Sequence, residues 1–171
     1  MRRRNFNMKI EELEGFVNSF IKERASKNEL YEILISCINN ASHKALDLVV
    51  ILGESDYDGF TYNFELKYPS LVTTLFWGEI GIEKITEMAI NKQKTKDVKI
   101  VAEILSYAIR GKLDELNFID KESEVFQKLN FSNKKYQSES FKAKAKESLI
   151  NLMVNLDKDI SFPVSILNSV L

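Results

Sequence analysis

Apolar residues in this chain return every three or four positions along most of its length, and that period constrains the fold more than any other feature. Ile10, Leu13, Phe16, Val17, Phe20 and Ile21 set the pattern, and Leu30, Ile33, Leu34, Cys37 and Ile38 repeat it. Ala45, Leu46, Val49, Val50 and Leu52 follow, then Ile82, Ile85, Met88, Ala89 and Ile90. The same spacing returns in Val98, Val101, Ala102, Leu105, Ala108 and Ile109, and in Phe141, Ala145, Leu149, Leu152, Met153 and Leu156. Such spacing lines one face of a helix, whereas a half-buried strand alternates every second residue. Six glycines and two prolines in 171 residues are also too few to turn an ordinary all-β chain. The expectation is roughly eight helices in a single helical domain over residues 8–171, long enough to bury a core.

Local punctuation agrees. Ser26-Lys27-Asn28-Glu29 has the spacing of a capping box, Ser42 can cap the next helix, and Gly53 reads as its stop. Gly78 and Gly81 mark a kink or break. Asp120 reads as the cap of a short helix carrying Val125, Phe126 and Leu129. Ser161-Phe162-Pro163 opens a last helix from Val164 to Val170.

Composition removes several chemistries. One cysteine excludes an internal disulfide framework and a multi-thiolate metal site, and one histidine excludes any site within the chain that needs two imidazoles. Cys37 falls on an apolar helix face, where a buried thiol is the ordinary finding, and His43 falls beside a helix cap, facing solvent. A formal charge of −1 argues against an extended nucleic-acid surface. Lys142, Lys144 and Lys146 alternate, so they splay around their helix instead of forming a stripe. No run reaches the roughly 18–20 apolar residues of a membrane span, and Met1-Arg2-Arg3-Arg4 lacks the apolar segment of an export signal. A cytoplasmic location follows as the expectation. Residues 1–7 read as an N-terminal extension, disordered or non-native, with Met8 as the native start, and the Lys-, Ile- and Asn-rich composition suggests an AT-rich bacterial genome.

The stretch from Glu54 to Ser70 departs from the helical period. Glu54, Asp56, Asp58, Gly59 and Glu65 reproduce the oxygen-ligand spacing of a calcium-binding EF-hand loop, with glutamate at the first position instead of aspartate. Asp58 with Glu65-x-Lys67 gives a second pattern, similar to the metal-binding core of restriction-type nucleases, in which two carboxylates hold Mg²⁺ and a lysine supports the attacking water. That core sits on a sheet, and Tyr62 to Lys67 alternates like a strand. Tyr57, Phe60, Tyr62 and Tyr68, with Trp77 beyond, form an aromatic cluster able to anchor a partner.

Three helices share a further shape. Ala41 to Val50, Val98 to Leu105 and Phe141 to Leu149 each follow an amphipathic helix and a polar turn, and each carries a small alanine: Ala45, Ala102, Ala145. With Asp97-Val98, Ala102 and Leu105, the chain resembles HEAT-type α-solenoid repeats, which implies an all-α, right-handed stack of antiparallel helix pairs. An irregular helical bundle is the alternative.

The functional expectation is a non-catalytic protein-interaction module, a small adaptor or immunity-type protein, with no cofactor. The alternative is a metal-dependent hydrolase or nuclease using loop 54–67 through Asp58, Glu65 and Lys67. The last helix carries Ile166 and Leu167 among residues too apolar for a free end, which predicts that it is covered, either by a second copy of the chain or by further sequence of the protein.

Overall fold

The computed structural model of the protein describes residues 8–23, 26–58 and 60–170, and of residues 60–62 the backbone alone. The expected extension 1–7 lies outside the described residues. Among those described, the chain is all-helical, with no strand. The order is α1 (Ile10–Glu23), α2 (Lys27–Asn40), α3 (His43–Glu54), α4 (Phe60–Thr73), α5 (Glu79–Lys92), α6 (Thr95–Ile109), α7 (Glu124–Leu129), α8 (Glu139–Val154) and α9 (Val164–Val170). Short 3₁₀ turns at Thr74–Trp77, Leu113–Glu115 and Lys134–Gln137 join some of them.

The chain divides into two compact units, each returned to by a separate segment. The first comprises residues up to Trp77 together with Phe118–Leu129; the second comprises Gly78–Asn117 and Asn130 onward.

In the first unit, α1, α2 and α3 pack on one another, α4 lies on α3 and α2, and α7 covers part of α2. Leu13, Val17, Leu30, Ile33, Leu34, Leu46, Val49, Leu52, Leu66 and Leu71 are fully buried. Each such side chain removed from water contributes about 1.5–3 kcal/mol, which offsets the entropy of ordering the chain. The helix starts follow the sequence. Ser26 accepts from the Glu29 amide at 3.2 Å and Ser42 from the Ala45 amide at 3.1 Å. The α2–α3 turn bends through Ala41 at φ 61°, and its Asn40 side chain donates to the Met8 carbonyl. Asp120 sits one turn early: the α7 cap is Ser123, whose hydroxyl accepts from the Phe126 amide, while Asp120 accepts from Glu122 within the preceding turn.

Gly53 is not a stop. It lies inside α3, where a Cβ would meet Leu71 Cδ2 of α4 at 2.4 Å and Cγ at 2.7 Å, so its missing side chain sets how closely the two helices approach. The largest correction concerns residues 60–70. The segment Tyr62–Lys67 that alternates like a strand is helical, and α4 continues through Pro69 and past Ser70. A proline inside a helix removes one backbone bond and costs about 3 kcal/mol. The carbonyl left over belongs to Glu65, an exposed residue that water reaches. On the other side, residues 66 to 75 are buried, and the Ser70, Thr73 and Thr74 hydroxyls donate to the carbonyls of Leu66, Pro69 and Leu71. Burial decides the conformation against the local preference.

In the second unit, α5, α6 and α8 pack pairwise and α9 lies on α6. Gly78, at φ 68°, supplies the break before α5, whereas Gly81 is buried within that helix. Ser138 caps α8 by accepting from the Phe141 amide at 3.1 Å. Beside it, the rings of Phe131, Tyr136 and Phe141 stack edge-to-face at centroid distances of 5.0 and 5.4 Å. Ala45, Ala102 and Ala145, the small residues shared by the three similar helices, are fully buried.

Candidate functional site

The acidic loop turns its oxygens inward onto a lysine. Lys67 projects from α4 and is fully buried. Its ammonium donates to the Glu54 carbonyl at 3.3 Å and the Ser55 carbonyl at 3.2 Å, and it lies 3.5 Å from Asp56 Oδ1. These carbonyls end α3, where helix carbonyls lack intrahelical donors and carry the negative end of the dipole. A lysine is well suited to that position, with three donors on a compact charge. The four carboxylates of the calcium-like pattern are distributed otherwise. Asp56 and Asp58 are exposed, Glu54 is half-buried at the end of α3, and Glu65 points outward from α4. Among the described residues, no group of three His, Cys, Asp or Glu side chains gathers to hold a metal ion. Gly59 lies outside the described residues. The nuclease pattern also loses its platform: Glu65 and Lys67 stand on one helix, Glu65 exposed and Lys67 buried.

The aromatic cluster is divided between core and surface. Tyr57 is buried against Phe20 at a centroid distance of 6.0 Å, and its hydroxyl donates to the Leu52 carbonyl at 2.9 Å. Its backbone amide donates to Asn63 Oδ1, and the Asn63 amide donates to its carbonyl. Tyr68 is also fully buried, so these two rings hold the loop onto the helices and cannot face a partner. Trp77 is half-buried, and its indole N–H donates to the carbonyls of Ala41 and Ser42 at 3.2 and 3.1 Å, closing the α2–α3 turn. The side chains of Phe60 and Tyr62 lie outside the described residues. Phe118 is the exposed member of this region, 50% accessible, with its ring 5.0 Å from Tyr68 and 5.9 Å from Phe64. It follows α6 by several residues, and nothing in its local spacing distinguishes it from a core phenylalanine.

The nucleophile inventory is equally inward. Cys37 is fully buried, and desolvation pushes its thiol up to about 12, so no thiolate forms at neutral pH. Burial also raises the Tyr31 and Tyr136 hydroxyls above the usual phenol range. Tyr31 is anchored within the first unit, its oxygen accepting from the Asp120 amide at 2.9 Å. His43 faces solvent. In the second unit, a groove of about 120 Å³ between α5 and α8 is lined by Glu83, Thr86, Glu87, Lys144, Glu147, Ser148 and Asn151. Lys144, half-buried, spans it towards exposed Glu83 at 3.9 Å, a solvent-screened pair of small energetic weight.

Outward-facing apolar surface gathers at the end of the second unit. No residue of α9 is buried. Val164 is 64% exposed, and Ile166, Leu167 and Val170 are half-buried where the helix lies on α6. Ser169 is 3.4 Å from Ser106 of α6, a polar contact across that packing. Val154, at the end of α8, is 66% exposed, one turn beyond Ile150 on the same face. The loop that leads to α9 is held firmly by Gln93. Its side-chain N–H donates to the Asn155 carbonyl and its carbonyl accepts from the Asp157 amide, both at 2.9 Å. Sequence spacing points to Ile166 and Leu167; the structure adds Val164 and Val154, whose exposure depends on which face α6 covers. Comparison with known proteins finds no matching family, curated sequence or solved structure.

Proposed function

We propose that this chain is a non-catalytic protein-interaction module whose contact face is its C-terminal helix α9 with the loop before it. The observation that supports this reading most is the exposure of α9: a seven-residue helix with four apolar residues, none of them buried. A seven-residue helix has too few backbone bonds to persist by itself, so it depends on what packs against it. Val164, largely in water, forgoes most of the ~1.5–3 kcal/mol that full burial of such a side chain contributes, and half-buried Ile166, Leu167 and Val170 forgo part of it, which a partner surface recovers. The reading is further supported by the inward direction of the groups that would otherwise carry chemistry: Lys67 caps a helix and Cys37 is held protonated. A HEAT-type stack of helix pairs belongs to the same proposal, since such folds act by presenting surface.

The test is site-specific photocrosslinking in the cells that produce the protein. A photoreactive residue replacing Val164 is expected to yield a discrete protein adduct, whereas the same residue replacing exposed Lys92 yields none. Equal labelling at both positions, or none at either, would refute the contact face.

A further inference from the structure

The groove between α5 and α8 has a floor that its own helices leave unsatisfied. Buried hydroxyls within the helices of this chain turn back to the carbonyl one turn earlier: Ser36 to Glu32, Ser70 to Leu66 and Thr86 to Ile82, at 3.0, 2.8 and 2.8 Å. Ser148 of α8 departs from this habit. It is 5% exposed, it lines the groove, and its hydroxyl has no hydrogen-bond partner among the described residues. Leaving a buried hydroxyl unbonded costs free energy, so one that faces a groove in that state points to a group supplied from outside.

The charge of the lining selects that group. Glu83 and Glu87 stand one turn apart on α5, and Glu147 joins them from α8. Thr86 spends its proton on Ile82 and presents only lone pairs. Lys144 is the only cation in the lining, and it is loosely seated: it stops 3.9 Å from Glu83, beyond the roughly 2.7–2.9 Å of a charge-assisted hydrogen bond. Three carboxylates against one ammonium leave two negative charges in surplus. We propose that this groove binds a short linear diamine, with its two ammonium groups set against carboxylates of the two helices and one of them also donating to Ser148. A divalent metal ion carries the same charge but needs several oxygens around one point, and among the described residues no three carboxylates gather in that way. A diamine needs no such convergence, because its alkyl chain holds the two charges apart. A groove of about 120 Å³ admits a chain of a few carbons, whereas sites for larger ligands run to about 300 Å³ or more. The glutamates are exposed, so binding is modest and weakens with salt. The site is separate from the α9 face and stands or falls independently of it.

Titration of the ¹⁵N-labelled full chain with 1,4-diaminobutane at low salt, followed by NMR, tests this directly. Saturable shifts are expected at the backbone amides of Thr86 and Ser148. n-Butylamine, which carries one ammonium, is expected to bind about fivefold more weakly. Ser148→Ala is expected to weaken the diamine about tenfold with an unchanged helical circular dichroism spectrum. Glu83→Gln combined with Glu87→Gln is expected to abolish saturation, whereas Glu14→Gln, an exposed change on α1 in the first unit, leaves the affinity as it was. Four results would each overturn the proposal: no saturable shift at Thr86 and Ser148, equal binding of n-butylamine, an affinity that Ser148→Ala does not alter, or the same shifts produced by magnesium chloride at the same concentration.

Discussion

Lys67 places a full charge where the backbone of α3 runs out of donors, and the consequence is a specific order of mutational effects. Truncating it to methionine keeps most of the stem but leaves the Glu54 and Ser55 carbonyls without that cation. The expected loss is about 2–4 kcal/mol in urea unfolding, the range for removing one partner of a buried charged contact. Asp56→Asn should lose under about 1 kcal/mol, because that carboxylate is half exposed and the pair is solvent-screened. Equal losses would show that the ion pair, and not the helix end, is what Lys67 serves. Tyr136 presents the opposite case: its hydroxyl is buried with no hydrogen-bond partner among the described residues. Tyr136→Phe is therefore expected to be neutral or stabilising by up to about 1 kcal/mol, read as a rise in Tm. Cys37 gives a pH dependence. The folded state keeps the thiol proton up to about 12, whereas the unfolded thiol releases it near 9. Above that lower value the unfolded state binds fewer protons, so stability falls as pH rises. Between pH 8 and 10 the contribution is about 1 kcal/mol, and Cys37→Ala should flatten the urea-derived slope by that amount.

At the scale of elements, Gly53 and Leu71 define the approach of α3 and α4. Gly53→Ala should destabilise by about 1–3 kcal/mol by forcing Leu71 aside, and Leu71→Ala in the same chain should relieve that overpacking term. A double-mutant cycle with no coupling would contradict the contact. The same pair shows why some elements are legible in sequence and others are not. α1, α3, α6 and α8 announce themselves because each keeps a face out of the core, leaving a clean apolar stripe, while α2, buried throughout residues 33–38, is betrayed by its Ser26 cap and its apolar spacing. α4 does not, because its second half is buried all round, and its polar Lys67, Ser70 and Thr73 are satisfied internally. Periodicity cannot reveal a helix whose polar residues point inward, and Pro69 adds a local signal of the wrong sign. The acidic loop misleads for a related reason: spacing shows which oxygens are near one another, but not that a lysine thirteen residues from Glu54 supplies the cation. The apolar end at Ile166 and Leu167 is readable from composition, while Val164 and Val154 require knowing what α6 covers.

At the scale of the whole molecule, the first unit is discontinuous in sequence: its α7 arrives only after residues 78–117, which belong to the second. Val125 and Leu129 of α7 are buried, and α7 packs on α2. A fragment spanning residues 8–77 should therefore gain stability from a peptide covering 116–130, with Tm rising as peptide is added. A Tm indifferent to the peptide would show that α7 is dispensable.

The same discontinuity has a meaning in time. A ribosome delivers the chain from its N-terminus, at about 5–20 residues per second. Roughly 3–10 s therefore separate the synthesis of Trp77 from that of Leu129 at such rates. Throughout that interval α1 to α4 are already made, and the side of α2 destined for α7 has nothing to meet. Meanwhile α5 and α6 are made, but α8 is not. The nascent chain thus holds two unfinished structures at once, and each waits on helices encoded after Asn117.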